Sequence, residues 1–147
     1  MTKEIWFDMD GTIADLYGEP NWLEDLLNEN PRPYQNAAPL VNMNTLARVL
    51  NRLTEKGYTV NIVSWLCKGG SAQYNEKVTN AKIKWLRRHL KSVQFARIEI
   101  VPYGTYKEIV ADFSKGILFD DEKSNRDYWR GTAYNTDNII AILKELA

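Results

Sequence analysis

The chain has 147 residues, 44% hydrophobic and 26% charged, which is enough apolar material for one globular domain with its own core. Lys plus Arg equals Asp plus Glu at 19 each, so no overall field draws the protein to an anionic membrane, and general nucleic-acid binding is not expected. A single cysteine, Cys67, excludes an intramolecular disulfide framework; with neither an apolar leader nor a span of ~20 apolar residues, the expected location is cytoplasmic.

In chain order, an apolar run at 5–7 reads as a buried strand and leads into Asp8-Met9-Asp10-Gly11-Thr12. A short segment at 14–17 is closed by Gly18-Glu19-Pro20. Trp22, Leu23, Leu26 and Leu27 recur at helical spacing and predict a short helix over 21–29, whereas Pro31, Pro33 and Pro39 predict irregular chain over 30–39. The stretch at about 18–42 therefore reads as a cap-like insertion within a single domain spanning 1–147.

Asn44 is the expected N-cap of a helix that turns Leu46, Val49, Leu50 and Leu53 inward and ends at Gly57. The β-rich run 58–63 is the second main strand and ends at Ser64-Trp65. After a loop at 68–74, a helix over 75–90 turns Val78, Ala81, Trp85 and Leu86 inward. Its basic run at 82–89 reads as an exposed face, and His89 as part of a solvated cationic C-terminus. A third strand is predicted at 95–101. A helix follows over 106–113 with Ile109, Val110 and Phe113 on one face. The apolar run 116–119 is a short strand that meets Asp120-Asp121. Ser124 or Asn125 caps a turn of helix through Trp129, an edge strand follows at 132–134, and Asp137 caps a last helix to Leu146.

Strands alternating with helices predict a mostly parallel sheet in a three-layer α/β/α, Rossmann-like fold. Ligands in such folds sit beyond the carboxyl ends of the strands, which is where Asp8, Asp10, Ser64, Asp120 and Asp121 fall. Asp10-Gly11 alone is ordinary turn chemistry. Two carboxylates one residue apart at the end of a buried strand, however, need a cation or a shared proton. Mg²⁺ suits hard oxygen ligands, and a phosphoryl group suits a hydroxyl, backbone N–H groups and a lysine.

These residues, taken together, resemble the haloacid dehalogenase superfamily. Asp8-Met9-Asp10-Gly11-Thr12 is similar to its first motif and Ile62-Val63-Ser64 to its second. Lys107, opening a helix, is similar to the third (in preference to Lys115), and Leu118-Phe119-Asp120-Asp121 to the fourth. The resemblance implies the superfamily's fold with a minimal cap, and a Mg²⁺-dependent phosphatase. In that reading Asp8 is the nucleophile, and Asp10 is the general acid and base whose presence sets the chain apart from dehalogenases. Ser64 and Trp65 lie on the substrate, Lys107 neutralises charge beside it, and Asp8, Asp10, Asp120 and Asp121 hold the metal, with the direct ligand of the last pair left open. A weaker similarity, Lys82-Ile83-Lys84-Trp85, resembles a segment of deoxyribonucleotidase-type members and implies a small phosphorylated substrate such as a nucleotide. Two alternatives stand beside this: a polynucleotide 3′-phosphatase, and an idle domain of the same fold serving as a binding module. A homo-oligomer that closes the open rim is compatible with either.

Overall fold

The computed structural model describes residues 2–147. Five strands form one wholly parallel sheet: β1 (Glu4–Phe7), β4 (Thr59–Trp65), β5 (Phe95–Val101), β6 (Ile117–Phe119) and β7 (Thr132–Tyr134), in the spatial order β5-β4-β1-β6-β7. A separate two-stranded antiparallel ribbon joins β2 (Ala14–Asp15) to β3 (Ala38–Pro39). The helices are α1 (Trp22–Leu27), α2 (Arg32–Asn36), α3 (Met43–Glu55), α4 (Ala72–His89), α5 (Lys107–Val110), α6 (Lys123–Tyr128) and α7 (Ile139–Leu146). Among the described residues no helix is long and apolar enough to cross a membrane.

Strand alternation sorts the core into two layers. Ile5, Phe7, Val60, Ile62 and Phe119 face one way and pack with Leu46 and Leu50 of α3, Leu86 of α4 and Leu143 of α7. Trp6, Val63 and Leu118 face the other way, onto Ala111 and Trp129 beside α5 and α6. The sheet is thus covered on both faces, as expected for parallel strands. Leu50 is fully buried at the centre of the first layer, so Leu50→Ala should destabilise the fold by roughly 2–5 kcal/mol, read as a drop in the denaturant midpoint with an unchanged slope.

Several elements depart from the sequence expectation. Residues 30–39 are not irregular. Pro33 sits in the first turn of α2, where its missing N–H costs nothing, and Pro39 lies on a two-strand ribbon with a free edge. Helix α3 is capped by Asn42, whose side chain accepts from the Thr45 N–H, rather than by Asn44. Helix α4 begins at Ala72 because Ser71 caps it through the Tyr74 N–H. Asn138, not Asp137, precedes α7, without a side-chain cap.

The helix expected at 106–113 is only α5, because Asp112 and Phe113 both take left-handed backbone (φ 55° and 57°). Its inward positions belong to Lys107 and Glu108, so Ile109 and Phe113 are about half exposed instead of forming a buried face. His89 is no solvated cation either. It is half-buried against Trp85 with ring centroids 4.4 Å apart, and burial, aided by Arg88, holds its pKa below the ordinary value.

Candidate active site

The register of the sheet creates the site. Phe7 lies opposite both Ile62 and Phe119, so the next residues outward are Asp8 on the central strand and Asp120 beside it. The Asp8 N–H donates to the Phe119 carbonyl at 2.9 Å, carrying the ladder one residue past β1. The turn that follows needs Gly11, which has φ 82°; a Cβ there would run into the Asp121 carboxylate. Thr12 finishes the turn, donating to Asp8 Oδ2 at 2.9 Å while its hydroxyl accepts the Asp121 N–H at 3.2 Å.

Lys107 is almost completely buried and bridges two acids, donating to Asp8 Oδ1 at 2.8 Å and Asp120 Oδ2 at 2.7 Å. Asp120 also accepts from Asn125 Nδ2 at 3.1 Å and the Glu122 N–H at 2.9 Å. Asp8, Asp120 and Asp121 present carboxylate oxygens within 4.8 Å of one another. Asp10 stands apart from this triad. Its carboxylate is tied to Lys82, at 2.8 Å.

Two side chains fell outside the sequence expectation. Lys82 does not belong to an exposed basic face: it is 1% exposed, whereas Lys84, Arg87 and Arg88 of the same run do face solvent. The signal was present, since Lys82 shares the helical stripe of Val78, Ala81, Trp85 and Leu86, a position where a lysine is costly unless something holds it. Neither Ser124 nor Asn125 caps α6, which follows Glu122 without a side-chain cap; Asn125 is buried and donates to Asp120 instead. Ser64 lies at the end of β4 but is fully buried beneath the cleft, held by Lys82, and it is the residues after it that reach the surface. Trp65 does line the cleft. It donates its indole N–H to the Thr105 carbonyl at 2.8 Å and lies 5.3 Å from the Lys107 ammonium.

The electrostatics follow from crowding. Burial, reinforced by Asp8, pushes Asp120 up to about 6 and Asp121 up to about 8. Burial also raises Asp10, against the opposing pull of Lys82. It works against the charge on Lys107, but Asp8 and Asp120 more than offset it and hold that ammonium above its ordinary value. Fully ionised, the four carboxylates would outnumber the two ammonium groups by two negative charges, and with only hard oxygen donors present that set fits a divalent Mg²⁺. A carboxyl whose folded pKa is raised stabilises the fold below its unfolded value near 4 and loses that contribution as pH climbs through the folded value. The melting temperature of the metal-free protein should therefore fall from pH 5 to pH 8, by on the order of 5 °C, and added Mg²⁺ should stabilise more at pH 8 than at pH 5. Equal Mg²⁺ effects at the two pH values would contradict the crowding.

The cleft over these acids is open and small, about 280 Å³. Tyr17, Trp22, Leu26 and Tyr34, from the stretch between β1 and α3, form one wall, and Trp65 with Tyr103 forms the other. Trp65 and Tyr103 have ring centroids 5.1 Å apart, as do Tyr17 and Trp22.

No family model matches the chain, and no curated protein does. Solved structures do. The D,D-heptose 1,7-bisphosphate phosphatase from Burkholderia thailandensis superposes with a TM-score of 0.61 at 14% identity, covering 99% of this chain and 98% of its own. The D,D-heptose 1,7-bisphosphate phosphatase from B. bronchiseptica, in a complex with magnesium and phosphate, gives 0.60 at 14% identity over the same shares. The chain shares their fold. At this identity the likeness concerns the path of the backbone; the chemistry rests on the side chains described above.

Proposed function

We propose that the protein is a Mg²⁺-dependent phosphomonoesterase of the haloacid dehalogenase type, working through an aspartyl-phosphate at Asp8. The observation that carries this reading is Lys107, shared between Asp8 and Asp120 with Asp121 in reach of the same point: a nucleophile, its neutralising cation and two further acids meeting at the strand ends.

Asp8 attacks phosphorus in line, and the bond to the leaving oxygen breaks. Asp10 gives its proton to that oxygen, a task suited to a carboxyl that burial holds above its ordinary pKa. Asp10 then takes a proton from water, the water oxygen bonds to phosphorus, and the Asp8–phosphorus bond breaks to release orthophosphate. Lys107 stays beside both carboxylates and offsets the charge of the phosphoryl oxygens. Mg²⁺, when bound, supplies two positive charges against the phosphoryl group. Asp8 and Asp121 would hold it, joined by the Asp10 main-chain carbonyl as the family resemblance implies. Asp120, already engaged by three donors, orients the set.

The substrate favoured is a nucleoside monophosphate. The cleft, about 280 Å³, has room for a phosphoryl group over the acids and for part of a leaving group against the aromatic side chains that line it, a setting for a flat base. The stretch at about 18–42 acts as a light lid that supplies one of those walls. Phosphate release from a panel of nucleoside 5′- and 3′-monophosphates, sugar phosphates and a 3′-phosphorylated oligonucleotide, with and without Mg²⁺, tests this. Fastest release from a mononucleotide is expected. A sugar phosphate or the oligonucleotide as best substrate would refute the nucleotide preference and keep the reaction. No release from any of them would refute the phosphatase.

A further inference from the structure

We propose that Lys82 is a positioning residue for this site: its ammonium pins the Asp10 carboxylate, the Ser64 hydroxyl and the Trp65 carbonyl in one fixed arrangement. The inference rests on the phosphatase reading and adds a residue to it.

Lys82 donates to Asp10 Oδ2 at 2.8 Å, to Ser64 Oγ at 2.7 Å and to the Trp65 carbonyl at 2.7 Å. An ammonium has three protons, and all three are spent. The side chain does not reach the cleft surface, so it has nothing left with which to touch a substrate. Lys107 differs on both counts: it makes two such bonds and lines the cleft. The two buried lysines therefore have separate tasks. Lys107 meets the phosphoryl group, and Lys82 holds the groups that do.

Lys82 ties together the ends of two neighbouring strands from a third element. Asp10 belongs to the turn after β1, Ser64 and Trp65 end β4, and Lys82 comes from α4. The ring of Tyr34, from α2, lies 5.2 Å from the ammonium and closes its outer side. Ser64 is fully buried beneath the cleft, so its hydroxyl serves as an anchor that fixes the end of β4, while Asp10 and Trp65, held by the same ammonium, are the groups that line the cleft. An apolar residue would fill this stripe at lower cost than a buried charge, so packing alone does not account for the lysine.

Lys82→Met keeps an unbranched side chain, one atom shorter, and removes the three donors. With Mg²⁺ present, calorimetry should find orthophosphate bound about tenfold more weakly or worse. The kcat/KM for an alkyl phosphate, which reports the first step, where the leaving oxygen needs the Asp10 proton, should fall about 100-fold. That for p-nitrophenyl phosphate, which needs no proton, should fall far less. Lys82→Arg keeps the charge but presents a planar fork, and should behave like the methionine variant. Unchanged orthophosphate binding, or equal losses on the two esters, would overturn the proposal.

If Lys82→Met does not fold, the wild-type protein decides by NMR. The Lys82 ammonium protons should be slow to exchange and should shift when orthophosphate saturates the site; an unmoved signal overturns the proposal. A wild-type protein that releases no phosphate from any ester refutes the phosphatase reading alone, since the orthophosphate measurements still judge Lys82.

Discussion

Asp8→Asn should lower phosphate release by on the order of 10⁴- to 10⁶-fold while leaving a folded protein that is more stable than wild type when Mg²⁺ is withheld. The two halves of this result have one cause. The amide cannot form the acyl phosphate, so the covalent route closes. It also removes the negative charge that helps push Asp120 up to about 6 and Asp121 up to about 8. With that repulsion gone, both carboxylates ionise more easily and the metal-free fold gains. Thr12 keeps a partner in the amide oxygen, and Lys107 keeps Asp120. Phosphate release and melting temperature in the presence of a chelator check the pair of effects. Near-normal turnover would exclude Asp8 as nucleophile, and a melting temperature below wild type would mean that the acids do not strain the empty site.

Lys107→Met should act in the opposite direction on stability. The ammonium is the only cation bonded to the carboxylates of Asp8 and Asp120 among the described residues, and both acids are buried. Removing one partner of a buried ionic cluster costs roughly 3–5 kcal/mol, because the remaining charges are left without compensation. The loss should be greatest near pH 8 in chelator and smaller near pH 5, where the carboxylates take up protons instead. Mg²⁺ should recover part of it. Turnover should fall about 10²- to 10³-fold even with Mg²⁺, as for loss of one preorganised group facing developing charge. Denaturant unfolding at both pH values, with and without Mg²⁺, tests the stability claim. A loss that does not depend on pH would assign Lys107 a packing role.

The acids and Lys107 were legible in the sequence and the contacts of Lys82 were not, and the reason is physical. Asp8 and Asp120 each directly follow an apolar strand, so a local pattern is enough to place them at one edge of a parallel sheet. Lys82 reaches the site from the middle of a helix. Its role depends on which way that helix faces, and its basic neighbours Lys84, Arg87 and Arg88 suggested solvent. Ser64 was placed correctly along the chain, but its depth was not foreseeable, because burial depends on how far the 65–68 turn overhangs it. In the stretch at about 18–42, proline was read as a breaker. Pro33 sits in a first helical turn and Pro39 on a ribbon edge, two places where the ring is tolerated. For α5, spacing suggested an apolar inner face, but delivery of Lys107 to Asp8 takes precedence over burying Ile109.

The position of β1 at the middle of the sheet has a consequence for how the protein is made. Its two neighbours arrive late: β4 follows after three helices and the β2–β3 ribbon, and β6 only after β5 and α5. Asp8 and Lys107, in direct contact in the finished protein, are 99 residues apart along the chain. Closing so long a loop precedes any reward from the contact, which slows assembly. Until β6 docks, a chain growing from its first residue carries an apolar central strand with an open edge, a template for pairing with another copy. Yield on refolding should therefore depend steeply on protein concentration, and the acids should bind Mg²⁺ only after the last of these strands has docked.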